Sequence, residues 1–351
     1  MLDSCLRAFD RMIEDDHYGR IRRAYERVFD WEELNELPYV WQGLPPVDTT
    51  VAPGIEWPTF AYNDAFADRE KMLLEQLRGP FLHYRAGDYT PLAIRAHYGT
   101  VILPNILGAD YQLTETSLPW AHHLSGGRER IRDLVASGVP DLRTGLGGAC
   151  LDMADYYREA LAPYPNLARE TTIYHPDLQG PFDVAHLLWG PDIFLALYDC
   201  PDLVHDLLAL VTETYIAYLR LWKAHLGEGN AFTAHWSIMM RGGAMLRDDT
   251  AIMLSTAQYE EFVEPYDQQV LDVFGGAIHY CGRGDQFVVS MADSRGLYGL
   301  HVSQPELNDV ATLLRVAQEN RLIILDLGEA FLPEGIRAGV TLRRSWPARS
   351  A

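Results

Sequence analysis

Basic side chains and cysteines are scarce in this chain of 351 residues. It has 29 lysines and arginines against 49 aspartates and glutamates, which gives a net charge of −20. Nucleic acid and anionic membranes would repel such a chain, so we expect neither as a partner. Its four cysteines, Cys5, Cys150, Cys200 and Cys281, do not have the spacing of a disulfide framework. This is typical of a protein from a reducing compartment.

Long apolar runs are also missing. No stretch approaches the ~18 uninterrupted apolar residues of a membrane span. The N-terminal segment is acidic and amphipathic, whereas a signal peptide starts with basic residues and continues with an apolar run. We therefore expect a cytoplasmic protein. Apolar residues nevertheless make up 48% of the chain, which is enough for a sizeable core.

From about residue 90 onward, short apolar segments that predict β-strands alternate with longer segments that predict helices. The strand candidates are residues 91–99, 110–116, 170–176, 230–237, 276–282, 297–303, 321–327 and 339–345. Such alternation is typical of parallel strands covered by helices, and eight strands over about 260 residues fit a closed (β/α)8 TIM barrel. The rival fold, an open doubly wound sheet, would require a glycine-rich phosphate turn after an early strand, and the sequence has none.

The first part of the chain has a different pattern. Apolar residues recur at helical spacing in residues 2–16 and 19–31, and a proline-rich, aromatic stretch follows at residues 37–58. We predict that residues 1–85 form a helical and loop extension packed on an α/β barrel of residues 86–351. The aromatic stretch also offers a contact surface for a homodimer.

Polar residues at strand ends are the candidates for chemistry, because the active site of a TIM barrel lies at the carboxyl ends of its strands. Gln179 follows the third strand candidate, His235 lies in the fourth, Asp248 and Asp249 lie beyond it, and Asp326 ends the seventh. Two adjacent acids in such a loop can act as a base or orient a ligand, or can simply cap the next helix. A lone histidine in an apolar strand is more often a hydrogen-bonded core residue.

The fifth strand candidate contains the sequence His279-Tyr280-Cys281. Strand alternation puts His279 and Cys281 on one face and Tyr280 on the other. If that face is the barrel interior, an imidazole and a thiolate converge there, and Zn²⁺ is held by such donors. In the alternative, Cys281 is a small buried apolar residue and His279 a hydrogen-bonded core residue.

Three segments together resemble the uroporphyrinogen decarboxylase superfamily. They are HPDLQGPFD at residues 175–183, the Asp-Asp at 248–249 followed by a helix ending in Pro-Tyr, and HYCG at 279–282. The similarity runs from about residue 90 to 345 and implies a (β/α)8 barrel. True uroporphyrinogen decarboxylases grip the acetate and propionate groups of their substrate with an Arg-Gln-Ala-Gly-Arg segment. This chain lacks it and has Ile-Arg-Ala-His-Tyr-Gly at residues 94–99.

The chain is more similar to the other branch of the superfamily, the corrinoid-dependent methyltransferases. These enzymes move a methyl group between a corrinoid, often carried by a partner protein, and a thiol such as coenzyme M. The resemblance implies that His279 and Cys281 are two of the zinc ligands. The third ligand of that branch is a cysteine on the last strand, and no cysteine follows Cys281 here. Glu329 is the candidate for its place, with Asp326 and His235 as alternatives.

The predicted function is therefore methyl transfer between a corrinoid and a small-molecule thiol that zinc activates. Tyr280 and Gln304 join Gln179 and His235 as predicted substrate contacts. One alternative is a cofactor-free decarboxylase or other lyase acting on a tetrapyrrole or another carboxylated small molecule. In it the predicted catalytic residues Asp248, Asp249 and Asp326 would supply the acid. Another alternative is a barrel that binds a corrinoid without catalysis.

Overall fold

A parallel β-sheet of six strands forms the centre of the protein, and helices surround it. The computed structural model describes residues 1–44, 57–114 and 117–347. Residues 45–56 of the proline-rich stretch and residues 115 and 116 of the second strand candidate therefore lie outside the described part. The predicted α/β class is confirmed.

The strands are short, and most of their side chains are buried. In chain order they are β1 (Tyr39–Gln42), β2 (Ala93–Ile94), β3 (Tyr111–Gln112), β4 (Trp120–Ala121), β5 (Thr172–Ile173), β6 (Phe232–His235), β7 (Ile238–Arg241), β8 (Ala244–Arg247), β9 (Gly276–Tyr280), β10 (Leu297–Val302), β11 (Ile323–Gly328) and β12 (Val340–Ser345). The central sheet has the order β1-β12-β11-β10-β9-β8, and each pair of neighbours in it is parallel. Their carboxyl ends therefore meet at one edge, where side chains from different strands come together.

The helices bury one apolar side each. They are α1 (Leu2–Asp10), α2 (His17–Phe29), α3 (Tyr62–Ala67), α4 (Arg69–Ala86), α5 (Ile102–Ile106), α6 (Gly127–Ser137), α7 (Leu146–Leu161), α8 (Pro165–Glu170), α9 (Pro181–Trp189), α10 (Ile193–Asp199), α11 (Pro201–Leu226), α12 (Thr256–Phe262), α13 (Glu264–Phe274), α14 (Val288–Ala292) and α15 (Val310–Asn320). Helix α11 begins with Pro201 in its first turn and ends at Leu226; the capping residue Gly227 follows, and its positive φ of 70° suits glycine. Within the described residues, none of the helices is long and apolar enough to cross a membrane.

Each of the eight strand candidates overlaps a strand of the structure, but two of them pair differently from the prediction. β3 pairs antiparallel with β4, and β6 pairs antiparallel with β7. Their places among the parallel strands are taken by β1 and β8, which the sequence pattern missed. β1 lies inside the proline-rich stretch. β8 has only four residues between Gly242-Gly243 and a pair of aspartates, so that its apolar run is too short to indicate a strand.

The N-terminal part of the chain contributes to the central sheet as well as covering it. β1 lies beside β12, with Tyr39 opposite Leu342. Helix α2 packs on the β6–β7 hairpin, where the ring centroids of Phe29 and Phe232 lie 5.5 Å apart. The predicted helices of residues 2–16 and 19–31 are confirmed by α1 and α2. The domain boundary at residue 85 stays a prediction.

The short parallel pair β2–β5 is linked to both ends of the central sheet by backbone hydrogen bonds. Just before β2, the amide of Tyr89 donates to the carbonyl of Tyr39 in β1 at 3.0 Å. Just after β5, the amide of Gly180 donates to the carbonyl of Arg247 in β8 at 2.9 Å. The two parallel strands therefore neighbour the first and last members of the six-stranded sheet.

Candidate metal centre and active site

Five adjacent strands of the central sheet place polar side chains at its carboxyl edge. Asp249 follows β8, and His279 and Cys281 lie at the end of β9. In the register of the sheet, His279 of β9 is opposite both Arg247 of β8 and His301 of β10. Further along the edge lie Asp326 of β11 and Arg343 of β12.

Asp249, His279 and Cys281, which we call the donor group, each offer one ligand atom, and these atoms lie within 4.8 Å of one another. Nε2 of His279 is 3.4 Å from Sγ of Cys281 and 3.4 Å from Oδ1 of Asp249. Ligands of a tetrahedral zinc ion, bonded at about 2.0–2.3 Å, are about 3.5 Å apart. The backbone amide of Cys281 donates to Oδ1 of Asp249 at 2.9 Å and so fixes the carboxylate beside β9. The spacing and the donor types therefore suit a divalent metal.

In two of the three members of the donor group, the pKa shift favours the protonation state that binds a metal. Burial lowers the pKa of His279, which keeps its imidazole neutral. Burial alone would raise the pKa of Asp249, but hydrogen bonds from His279 and Cys281 outweigh it, so the net shift is downward. Burial and the charge of Asp249 raise the pKa of Cys281 to about 11. The thiol therefore keeps its proton until a cation displaces it.

A row of contacts leads away from His279 along the edge of the sheet. Nδ1 of His279 is 2.8 Å from Nδ1 of His301. Nε2 of His301 faces Oδ2 of Asp326 at 3.5 Å, and Nε of Arg343 donates to the same oxygen at 2.9 Å. The row joins four neighbouring strands from β9 to β12.

A cavity of about 350 Å³ opens beside this row. Its lining residues come from the tip of the β6–β7 hairpin and from the carboxyl ends of four strands: Trp236, Ser237, Ile238, His279, His301, Ser303, Asp326 and Arg343. The Trp236 ring packs edge-on against His279 with centroids 4.9 Å apart, and its centroid is 5.1 Å from that of His301. The cavity thus gives a small molecule access to His279, the member of the donor group that lines it.

A second polar cluster is buried on the other side of Trp236. Asp177 accepts from Arg247 at 2.5 Å and pairs with Arg95 at 3.0 Å. Burial opposes ionisation of Asp177, but the charges of Arg247 and Arg95 dominate and lower its pKa to about 2. Arg247 also lies 3.2 Å from Nε2 of His235. Both arginines are therefore paired with Asp177, and Arg95 belongs to the segment at residues 94–99.

Asp248 and Asp267 of α13, which we call the acid pair, form a further buried group. Within the described residues, none of their four carboxylate oxygens has a hydrogen-bond donor. Burial raises the pKa of both carboxyl groups; Asp267 raises that of Asp248 further, and the charges of Asp183 and Glu264 raise that of Asp267. Gly180 is required beside them, because a Cβ atom there would lie 2.4 Å from Oδ1 of Asp248. The acid pair therefore shares at least one proton at neutral pH.

Several predicted site residues lie away from the donor group. The Oε1 atom of Gln179 is buried and, among the described residues, has no hydrogen-bond partner. The hydroxyl of Tyr280 points to Asn308 at 3.5 Å, on the opposite face of β9 from His279. Gln304 is half-buried beyond β10. Glu329 pairs with Arg344 at 2.8 Å and is 51% exposed. The carboxylate that lies beside His279 and Cys281 is Asp249.

Three residues of the site were missed by sequence reasoning or given another role. Asp249 was assigned to catalysis, because its approach to β9 depends on the unrecognised strand β8. Trp236 was not among the predicted site residues, and its φ of 51° places it in the left-handed region at a two-residue hairpin turn. Arg343 could have been found from the sequence, because alternation along β12 places its side chain on the same face of the strand as Thr341.

The central sheet and the donor group together define an α/β protein with a candidate metal site at the carboxyl ends of its strands. No family model matches the chain, and no curated protein matches it. Among solved structures, it is similar to a methyltransferase from Methanosarcina mazei, with a TM-score of 0.59 and 17% sequence identity. The match covers 87% of this chain and 82% of that chain. At this level of identity, the similarity shows a methyltransferase-like fold.

Proposed function

We propose that the protein is a methyltransferase in which zinc, held by Asp249, His279 and Cys281, activates a thiol substrate. The observation that carries the proposal is the spacing of the three donors around Nε2 of His279, at 3.4 Å to each neighbour. Catalytic zinc sites have three protein ligands and leave the fourth position open. The cavity that His279 lines would supply space for a substrate as that fourth ligand.

Zinc would supply the acidity that a free thiol lacks. At neutral pH only a few per cent of an ordinary thiol is ionised. Coordination to zinc held by Asp249, His279 and Cys281 would remove the proton and hold the substrate sulfur as a thiolate. The sulfur would then form a bond to the methyl carbon of a methylated corrinoid. The bond from that carbon to cobalt would break, and its electron pair would stay on the cobalt. The products are a methyl thioether and the reduced corrinoid.

The cavity favours a small polar thiol. It has two hydroxyls, of Ser237 and Ser303, and the guanidinium of Arg343. About 350 Å³ holds a short molecule but not a corrinoid. The corrinoid would therefore approach from outside, either free or carried by a partner protein.

We also propose that the eight strands made up of the central sheet and the β2–β5 pair close into a barrel. The hydrogen bonds from Tyr89 to Tyr39 and from Gly180 to Arg247 support closure at its two open sides. A closed barrel would surround the edge at which the donor group lies, as in other (β/α)8 enzymes.

Metal analysis of the purified protein tests the proposal. We expect zinc in stoichiometric amount, lost in Cys281→Ser and retained in the control Cys200→Ser, because Cys200 is also a free cysteine but lies between α10 and α11. With methylcobalamin and a small thiol such as coenzyme M, we expect the cobalamin spectrum to change with wild type and Cys200→Ser only. Absence of metal above background in the wild type, with equal turnover in Cys281→Ser, would overturn the proposal.

A second candidate is cofactor-free decarboxylation, and the raised pKa of Asp248 favours it. A carboxyl group that keeps its proton at neutral pH is a suitable general acid. Decarboxylation of a tetrapyrrole or another carboxylated substrate that survives Cys281→Ser and is lost in Asp248→Asn would support this candidate. A visible corrinoid band bound to the protein, with no methyl transfer to any thiol, would indicate the corrinoid-binding barrel.

A further inference from the structure

The β6–β7 hairpin lies between two groups of parallel strands. On one side, Ala234 of β6 forms a small buried cluster with Ala93 of β2 and Tyr174 of β5. On the other side, β7 packs against β9 and β10 of the central sheet. The turn of the hairpin, Trp236-Ser237, therefore reaches the carboxyl edge between the two groups, where both residues line the cavity.

The indole of Trp236 separates this cavity from Arg247 of β8. Trp236 lines the cavity together with His279 and His301, whose ring centroids lie 4.9 and 5.1 Å from its own. The guanidinium of Arg247 packs over the same indole, with Cζ 4.5 Å from the ring centroid, but Arg247 is not a lining residue. Its side chain is only 6% exposed. Without the indole, the cavity would continue to the guanidinium.

Arg247 has a hydrogen-bond donor to spare. Its Nη2 atom donates to Asp177 and to Nε2 of His235. Its Nε atom is buried and, among the described residues, has no hydrogen-bond partner. A guanidinium with a free donor is a good binding group for a carboxylate or another anion. An anionic group that passed the position of the indole would therefore find a partner in Arg247.

The backbone of Trp236 indicates that its side chain has a task. Its φ of 51° is uncommon for a residue other than glycine, and two-residue hairpin turns favour glycine, asparagine or aspartate at such a position. A strained conformation that holds a bulky side chain at the wall of a cavity is typical of a functional site. Glycine would suit the turn better, but it would leave the space between the cavity and Arg247 open.

We propose that Trp236 is a specificity-determining residue, whose indole ends the cavity before Arg247 and so restricts the substrate to thiols with a short chain. This inference rests on the thiol-activating function proposed above and names the residue that sets the length of the thiol. In the wild type, the end group of a short thiol meets the hydroxyls and the guanidinium that line the cavity. In a variant without the indole, a longer chain reaches Arg247, which favours an anionic end group over a neutral one.

The chain-length preference is measured as kcat/KM for thiols of different length, with zinc-loaded protein and methylcobalamin. In the wild type we expect the six-carbon mercaptohexanoate to react at least about tenfold less efficiently than mercaptoacetate, because the longer chain does not fit. Trp236→Ala should shift this ratio by at least about tenfold in favour of mercaptohexanoate. Mercaptohexanol, which has the same chain without a charge, should gain less. Trp236→Phe retains a ring and should stay closer to the wild type.

Trp120→Ala is the matched control. It also removes an indole, but one that is 67% exposed on β4, so it should keep the preference of the wild type. Equal ratios for the two acids in Trp236→Ala, Trp120→Ala and the wild type would overturn the inference while leaving the zinc site and methyl transfer in place.

Binding of free indole to the metal-free protein is the second test, and it requires neither zinc nor turnover. An indole side chain that ends an open cavity leaves, when removed, a space that added indole can fill. We expect indole to raise the Tm of Trp236→Ala, but not that of the wild type or of Trp120→Ala.

This measurement separates the inference from the proposed function. If the wild type transfers no methyl group, the proposed function fails, and indole binding still decides whether Trp236 closes the cavity. A folded Trp236→Ala that indole does not stabilise would overturn the inference. Trp236→Leu, which retains an apolar side chain, takes the place of Trp236→Ala in both tests if that variant does not fold.

Discussion

Asp248 and Asp249 are adjacent in the chain, yet their carboxyl groups lie in regions with opposite electrostatics. Asp248 belongs to the buried acid pair with Asp267, where burial and a second acid raise its pKa. Asp249 belongs to the donor group, where His279 and Cys281 lower its pKa in spite of burial. The comparison teaches that the surroundings of a side chain, and not its residue type or its place in the chain, decide whether a carboxyl group holds its proton or loses it.

The two regions also differ in access. The acid pair packs against Gly180 and the helix side of β8 without a hydrogen-bond donor among the described residues. In the donor group, His279 lines a cavity and Cys281 is exposed. Chemistry that needs a substrate is therefore expected at the donor group, and contributions to stability are expected from the acid pair.

The largest expected effect is a difference in zinc affinity between two variants, each with one aspartate of one region replaced by asparagine. Asp249→Asn removes a charged ligand but keeps an oxygen that can accept from the amide of Cys281, so we expect zinc binding at least about 100-fold weaker in a folded protein. Asp248→Asn should bind zinc like the wild type, because its carboxyl group lies beside Asp267 and is not part of the donor group. Competition with a chelator measures both. Equal losses in the two variants would remove the distinction between the regions.

A smaller effect should appear in the pH dependence of unfolding. The acid pair has raised pKa values in the folded state, so above pH 3.8 the folded protein holds more protons there than the unfolded chain does. Stability from this source is therefore fully present at low pH and falls as the pH rises toward and through neutrality, by at most about 1.4 kcal/mol per pH unit for one proton. Asp249 contributes in the opposite sense, because its lowered pKa favours the folded state above pH 3.8.

Urea unfolding at a series of pH values tests this difference. The double variant Asp248→Asn and Asp267→Asn should have a smaller decline in stability between acidic and neutral pH than the wild type. Part of the decline should remain, because burial also raises the pKa of Asp183. Asp249→Asn is the matched control and should keep the decline. If the double variant and the wild type have parallel pH profiles, the acid pair does not hold an extra proton.

The sequence predicted the parts of the site that lie within one strand, but not those that depend on which strands are neighbours. Alternation along β9 is enough to place His279 and Cys281 on one face. Asp249 reaches them only because β8, four residues long, lies beside β9. The contact of Asp326 with His301 depends on a bulge and a positive φ, which an Asp in an apolar run does not reveal.

Prediction of the fold from the sequence has the same limit, because it did not reveal which strands are neighbours. The alternation of strands and helices predicted an α/β fold, and the long helices such as α11 are confirmed. The pattern placed residues 230–237 in the parallel sheet, whereas the segment forms β6 of an antiparallel hairpin. Its turn is Trp236-Ser237, which has none of the glycine or asparagine typical of two-residue turns. Packing of the indole against His279 and His301 accounts for a turn that local preference does not favour.

The smallest effect is expected at Glu329, which the sequence suggested as the third ligand. It lies at the end of β11, is 51% exposed and pairs with Arg344, so Glu329→Gln should change the free energy of unfolding by less than about 1 kcal/mol. Zinc affinity should equal that of the wild type, because the carboxylate beside His279 is Asp249. Chelator competition on Glu329→Gln and Asp249→Asn in parallel decides between the two carboxylates. Weaker binding in Glu329→Gln alone would mean that metal draws the end of β11 inward and that Asp249 only orients Cys281.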